Sequence, residues 1–178
     1  MAIIAGKAGA GLIIALLSLS LSGCGLMQKV ADGTVSATKA LFYRQVKTLH
    51  LDIRAREAIN SSAAGIPLSV VVRVYQLKDR RHFDSADYQA LFTGDSGTLA
   101  GDIIVQKDIW LRPGGSVAVD MPMDDAAKFT GVAAMFLEPD QKKNTWRVVL
   151  SRDELEPDTP RIIEASGNTL TLLPVKDK

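Results

Sequence analysis

Apolar and polar residues alternate along much of the chain that follows residue 46. In the stretch TLHLDIRAREA, Leu49, Leu51 and Ile53 are separated by His50 and Asp52. A period of two predicts a β-strand with one face in the core and the other face exposed. The next stretch, PLSVVVRVYQL, is almost entirely β-branched, which is typical of a central strand whose two faces are both covered.

Six further strands follow at the short spacing that is expected of a β-sandwich. They are IIVQKDIWL, SVAVDMP, FTGVAAMFL, TWRVVL, RIIEA and NTLTLLP, in chain order. Two sheets that are each apolar on one face bury those faces against each other. We therefore expect an all-β protein, an antiparallel β-sandwich of about eight strands.

One segment, HFDSADYQALFTGD, interrupts the strand pattern and predicts one added short helix. Asp84 or Ser85 is a suitable N-cap for this helix, and Gly94 and Asp95 end it. Four residues of the segment lie near helical spacing: Phe83, Tyr88, Leu91 and Phe92.

Alternation also predicts which side chains form the core. Both tryptophans fall within predicted strands, and we interpret them as core residues rather than as platforms for a sugar ring. The residues expected to be buried are Leu51, Ile53, Val70, Val72, Val74, Trp110, Val132 and Trp146.

The first 23 residues have the organisation of a secretory signal peptide. Lys7 is followed by an uncharged apolar run, residues 8–21, which is shorter than the roughly 20 residues that span a membrane. The motif LSGC, which ends at Cys24, resembles the bacterial lipobox, in which the cysteine thiol receives diacylglycerol and cleavage occurs just before the cysteine. Small residues before Cys24 give the modifying enzymes access to the thiol. A buried cysteine in an N-terminal helix is the less favoured interpretation.

Lipidation of Cys24 predicts how the chain is organised. Two or three acyl chains anchor a protein stably, whereas one chain binds a membrane only marginally. Gly25, by resemblance to sorted lipoproteins, indicates the outer membrane. The expected parts are a signal peptide (1–23), the lipidated cysteine with a tether (24–46), and a β-sandwich domain (47–178).

Charge and cysteine content restrict the class of protein. The chain has 21 basic and 20 acidic residues, and loss of Lys7 with the signal peptide leaves equal numbers. A nucleic-acid-binding domain normally has a basic excess or patch, so we expect no nucleic-acid partner. Cys24 is the single cysteine, so the sandwich has to be stable without disulfide bonds.

Candidate catalytic groups are few. Of the two histidines, His50 lies on the polar face of the first strand near Asp52, and His82 lies in the basic run KDRRH. We interpret both as surface residues, and an enzyme that uses His50 with Asp52 stays open as an alternative. Two distant histidines and one acylated cysteine do not form a zinc site, and neither Gly-x-Ser-x-Gly nor a phosphate-binding loop occurs. We therefore disfavour an enzyme.

The segment VVVRVYQLKDRRHFDSADYQALF is similar to the hallmark of the type VI secretion outer-membrane lipoproteins, the TssJ (SciN) family. Three later segments, LRPGGSVAV, FTGVAAMF and TWRVV, resemble the family's Pro-Gly turn, its Gly-Val-Ala-x-Phe strand and its Trp-Arg strand. These matches occur in the family's order over most of residues 47–174. The resemblance implies a transthyretin-like β-sandwich with an added helix, facing the periplasm from the outer membrane, without catalytic activity or a cofactor.

The resemblance also implies a partner and a contact site. The partner is the periplasmic C-terminal region of the inner-membrane protein TssM, in a complex that includes TssL. In this family the loop between the first two strands contacts TssM, and NSSAAGIP occupies that position. The residues so implied are Asn60, Ser61, Ser62, Ala63, Ala64, Gly65 and Ile66.

Two alternatives remain open from the residues alone. The loop NSSAAGIP is also compatible with a plain connection between strands. The protein as a whole is also compatible with a periplasmic ligand- or carbohydrate-binding lipoprotein that uses aromatic residues in a groove, although we expect no small-molecule substrate.

Overall fold

Eight β-strands and two short helices make up the computed structural model, which describes residues 46–93, 97 and 99–175. The strands are β1 (Thr48–Ile59), β2 (Val70–Leu77), β3 (Ile103–Leu111), β4 (Ser116–Pro122), β5 (Phe129–Ala134), β6 (Arg147–Ser151), β7 (Arg161–Gly167) and β8 (Thr169–Leu172). The helices are α1 (Arg81–Ser85) and α2 (Tyr88–Thr93). The eight strands correspond to the eight that alternation predicts.

The strands form two four-stranded sheets. The first sheet has the order β4-β1-β7-β8, and the second sheet has the order β3-β2-β5-β6. The all-β sandwich is therefore confirmed, with one difference: β1 and β7 run parallel, with Ile53 opposite Ile163, whereas the other pairs are antiparallel. A parallel pair is possible here because β1 and β7 are far apart in the chain, so no hairpin has to join them.

Alternate residues of the strands fill the space between the sheets. On β1, Leu49, Leu51 and Ile53 are buried, while His50 and Asp52 between them are partly exposed. Seven of the eight predicted core residues are buried: Leu51, Ile53, Val70, Val72, Val74, Val132 and Trp146.

Trp110 contradicts the prediction, because 70% of this residue is exposed. Its neighbours on β3, Ile109 and Leu111, are buried. Successive strand residues point to opposite faces, so Trp110 has to lie on the outer face when Ile109 and Leu111 face the core. The prediction was wrong because Ile109, Trp110 and Leu111 are all apolar, so the pattern at this end of the strand does not show which face is turned to the core.

Helices α1 and α2 cover part of the outer face of the second sheet. The predicted single helix is two helices, because Ala86 has an extended backbone that ends α1, and Asp84 lies inside α1 rather than at a cap. The ring of Phe83 meets the ring of Tyr75 edge-on, with 5.3 Å between centroids. Gly131 permits this packing, since a Cβ atom there would lie 2.8 Å from the Phe83 ring.

A buried tyrosine hydroxyl holds α2 on the sheet. Tyr75 donates a hydrogen bond of 2.6 Å to the carbonyl oxygen of Leu91. Burial raises the pKa of Tyr75 to about 12, although the nearby charge of Arg73 opposes this effect. The usual tyrosine pKa of about 10 applies in the unfolded chain. This contribution to stability is therefore complete below about pH 10 and is lost as the pH rises through about 12.

We expect Tyr75→Phe to flatten the loss of stability at alkaline pH. At neutral pH the missing hydrogen bond should cost about 1 kcal/mol. Between about pH 10 and pH 12, the wild-type protein should lose about 1–3 kcal/mol more than the variant, because only the wild type has this phenol to ionise. Urea unfolding over this pH range measures the difference, and parallel pH profiles for the two proteins would contradict it.

Candidate partner-binding surface

The predictions for the N-terminal segment lie outside the described residues. They concern the signal peptide (1–23), Cys24, Gly25 and the tether up to residue 45. In the part of the chain that the structure describes, no helix has the length and apolar character that crossing a membrane requires.

The tether enters the sandwich at one end, which we call the entry end. The carbonyl oxygen of Lys47 accepts a 2.9 Å hydrogen bond from the backbone N–H of Met123. Arg152 donates through Nη2 to the carbonyl oxygen of Val46 at 2.7 Å. From this point β1 runs for 12 residues to the other end of the sandwich, which we call the far end. This length corresponds to about 40 Å at roughly 3.3 Å per residue.

The β1–β2 loop (residues 60–69) lies at the far end, and Asn60 fastens it there. Asn60 is buried and has a φ of 46°, a left-handed conformation in which asparagine is enriched. Its Oδ1 accepts from the N–H of Leu137 at 2.7 Å, and its Nδ2 donates to the carbonyl oxygen of Ser69 at 3.1 Å. Its own N–H donates to the carbonyl oxygen of Gly167 at 2.9 Å. The polar groups of Asn60 are therefore engaged within the fold.

A tight turn presents the rest of the loop to solvent. The N–H of Gly65 donates to the carbonyl oxygen of Ser62 at 2.8 Å, and the N–H of Ser62 donates to that of Ile66 at 2.9 Å. Gly65 has a φ of 75°, which glycine adopts without strain. Residues 63–69 are exposed, and Ile66 is 60% exposed. The loop thus offers small, uncharged groups and the apolar side chains of Ile66 and Leu68 on an ordered backbone.

At the far end, charged groups lie on the connections between strands other than the β1–β2 loop. The β3–β4 turn is held against β1 by a 3.1 Å hydrogen bond from the N–H of Gly114 to the carbonyl oxygen of Arg56. In the β5–β6 connection (135–146), Asp140 accepts the N–H of Lys143 at 3.0 Å. This bond is the main reason that the pKa of Asp140 lies below its usual value. An incoming partner therefore meets an uncharged loop that is flanked by ionised residues.

The structure separates the residues of the catalytic alternative. His50 Nδ1 lies 2.5 Å from a carboxylate oxygen of Asp120, and Asp52 instead accepts a 2.7 Å hydrogen bond from Arg54 Nε. The pairing of His50 with Asp52 that the catalytic alternative requires is therefore not formed. His82 is exposed, as predicted. Within the described ranges, no three His, Cys, Asp or Glu side chains are grouped closely enough to hold a metal ion.

The carbohydrate-binding alternative requires aromatic residues that line a groove. The tyrosines and tryptophans that the structure describes do not support it. Tyr75 and Trp146 are buried, and Tyr88 uses its hydroxyl to donate a 2.6 Å hydrogen bond to the carbonyl oxygen of Phe136. Of these four aromatic residues, Trp110 alone presents an exposed ring face.

Sequence reasoning missed most of the exposed apolar side chains at the far end, and Ile66 is the one that it named as a contact residue. The exposed large apolar residues at the far end are Ile66, Leu68, Trp110, Met135 and Leu137. A signal for two of them is present in the stretch AMFL, where four successive apolar residues follow a strand. Because neighbours in an extended chain point in opposite directions, these four residues cannot all face the core.

Comparison with protein families gives one match. Residues 47–170 match the family model described as "Type VI secretion lipoprotein, VasD, EvfM, TssJ". A comparison with curated proteins gives no match.

Comparison with solved structures gives chains of the same fold. One is 88% identical in a structure described as "Type VI membrane complex", with a TM-score of 0.71. Another is 85% identical in a structure described as the C-terminal domain of the T6SS protein TssM from EAEC, with a TM-score of 0.68. Both matches cover 73% of this chain and 100% of the other chain. The lipoprotein TssJ1 from Pseudomonas aeruginosa is 27% identical over 72% of this chain and 98% of its own, with a TM-score of 0.59.

Proposed function

The chain belongs to the type VI secretion lipoprotein (TssJ) family, and from this membership we propose that it is the membrane-anchored adaptor of a type VI secretion membrane complex. It binds the periplasmic C-terminal region of TssM. Its role is structural, since the family is one of structural lipoproteins, and we infer no catalytic step.

The partner is supported most directly by two solved structures. Chains that are 85% and 88% identical to this one occur in structures described as a TssM C-terminal domain and as a type VI membrane complex. Because the family model identifies this chain as the lipoprotein, we interpret the matched chains as lipoprotein subunits that are assembled with TssM. Identity at this level preserves most of a surface, so the same partner is expected here.

Anchoring follows from the N-terminal motif. We infer that Cys24 is acylated, that the acyl chains lie in the outer membrane, and that the sandwich faces the periplasm. The far end, opposite Val46, then meets TssM. We infer that TssL belongs to the same complex.

The contact site that we propose is residues 60–66 of the β1–β2 loop. Asn60 positions the loop through its bonds to Leu137 and Ser69. The exposed tip, with Ile66 and the backbone groups of residues 61–65, makes the contact. The ordered turn lowers the cost of binding, because little backbone freedom remains to be lost.

Replacing residues 61–65 by an unrelated linker of equal length is expected to weaken TssM binding at least tenfold, or by about 1.4 kcal/mol. The loss follows from removal of the turn that presents Ile66. Titration calorimetry with the periplasmic C-terminal region of TssM measures the affinity. A thermal melt measures whether the sandwich stays folded.

The matched control replaces residues 156–160 by the same linker. This segment has the same length, is mostly exposed and precedes β7 at the entry end. The control should bind like the wild type. Equal affinities for the two variants, with unchanged melts, would place the contact elsewhere, most plausibly on residues 138–144.

A further inference from the structure

The outer face of the second sheet is only half covered. Near α1 and α2, Tyr75 packs against the ring of Phe83, and Arg73 donates from Nη1 to the carbonyl oxygen of Leu91 at 3.1 Å. Toward the far end, the next outward-facing residues of neighbouring strands lie outside the area that the helices cover. In this row Val71 lies opposite Trp110.

This uncovered part of the sheet is apolar. We call it the apolar face and define it by Val71, Trp110, Met135 and Leu137. Met135 joins the row of Val71, since its N–H donates to the Val71 carbonyl oxygen at 2.8 Å. The exposed fractions are 70% for Trp110, 39% for Met135 and 59% for Leu137.

Exposed apolar residues are not scattered evenly over the part of the chain that the structure describes. Single exposed apolar side chains are ordinary on a protein surface, whereas a contiguous group marks an interaction site. Five of the six large apolar side chains that are exposed lie at the far end, and Val175 is the exception. The six are Ile66, Leu68, Trp110, Met135, Leu137 and Val175.

The apolar face is continuous with the β1–β2 loop. The side chain of Asn60 bonds to the N–H of Leu137 on one side and to the carbonyl oxygen of Ser69 on the other. Ser69 lies two residues before Val71, in the segment that leads directly into β2. The buried side chain of Asn60 therefore connects the β1–β2 loop to the apolar face.

We propose that the apolar face is a second part of the TssM-binding surface, and that it receives aliphatic or aromatic side chains of the periplasmic C-terminal region of TssM beside the β1–β2 loop. This proposal rests on the function proposed above. It assigns Trp110 as the central contact, since a tryptophan in an apolar patch is a common source of binding energy.

The position of the apolar face favours TssM over other occupants. The apolar face lies at the end of the sandwich opposite Val46, beside the loop that we propose for TssM. The edge strand β3 bears Asp108 on the outer face, two residues before Trp110, and Lys107 on the opposite face. Such charges oppose edge-to-edge pairing with a second copy of the sheet. Arg73 keeps Asp108 ionised through a hydrogen bond of 2.5 Å, which lowers the pKa of that carboxyl group.

Trp110→Ala in the full-length protein, purified from membranes in detergent, tests the proposal. Affinity for the periplasmic C-terminal region of TssM is expected to fall at least tenfold, with an unchanged thermal melt. The heat-capacity change of binding should become less negative, because less apolar area is buried. The matched control is Val175→Ala, which removes an exposed apolar side chain outside the far end and should leave the affinity unchanged.

The outcomes separate this proposal from the proposed function. If the wild type binds TssM and Trp110→Ala binds equally well, the apolar face is not part of the interface, although the adaptor function stands. If the wild type itself does not bind TssM, the adaptor function fails. A Trp110→Ala variant that keeps its affinity but loses self-association in sedimentation would assign the face to a second copy and overturn the proposal.

Discussion

Cys24→Ala is expected to abolish both membrane anchoring and type VI secretion. The motif LSGC contains the one cysteine of the sequence, so no other thiol can be acylated in its place. The variant should accumulate as a folded protein that is soluble or retains its signal peptide. Membrane fractionation measures its location, and export of a type VI substrate measures the function.

The matched control for this experiment is Gly25→Ala, next to the cysteine. It changes the residue after the cleavage site but keeps the thiol, so lipidation and secretion should persist. A Cys24→Ala protein that remained in the outer membrane fraction would show that the anchor lies elsewhere in the chain.

Trp146→Ala is expected to destabilise the sandwich by about 3–5 kcal/mol, which is the usual cost of removing a buried tryptophan. Trp146 is 1% exposed, and its ring meets that of Tyr88 edge-on with 5.0 Å between centroids. The guanidinium of Arg147 lies 4.7 Å from the same ring centroid and also donates to the carbonyl oxygen of Ala86 at 2.9 Å. Loss of the indole therefore loosens the attachment of both helices as well as leaving a cavity.

Urea unfolding measures this effect, and Trp110→Ala provides the matched control. The same atoms are removed in both variants, but Trp110 is 70% exposed and should change the free energy of unfolding by less than about 0.5 kcal/mol. Similar stabilities for the two variants would contradict the packing that the structure assigns to Trp146. The pair of variants also distinguishes a folding role from a binding role, since Trp110→Ala is the variant expected to lose TssM affinity.

The strands were predictable because their signal is local. A period of two over five or more residues determines which residues share a face, and β1 obeys it from Leu49 to Ile53. The family resemblance rested on local motifs in the same way, and the match over residues 47–170 confirms it. The partner implied by the resemblance agrees with the structures that contain 85% and 88% identical chains.

The loop was predictable in position but not in structure. Its place between the first two strands follows from the order of the pattern. The burial of Asn60 cannot be predicted from this order, because it depends on Leu137, which lies 77 residues away in the chain. From the sequence, Asn60 was expected to face a partner as a polar loop residue. In the fold, its side-chain amide instead bonds to two connections and holds them together.

The sequence by itself determined the two-sheet class of fold and the family, since each is written in neighbouring residues, and lipidation at Cys24 stays a prediction. Tertiary structure decided which of two adjacent apolar residues faces the core. On β3, Ile109 and Leu111 pack inward because the register against β2 places them opposite Val72 and Val70, and Trp110 is left outside opposite Val71. Register is a property of two strands, so neither strand alone contains it. The apolar face also depends on several elements at once. Its residues come from separate segments of the chain, and they meet where the helices no longer cover the sheet.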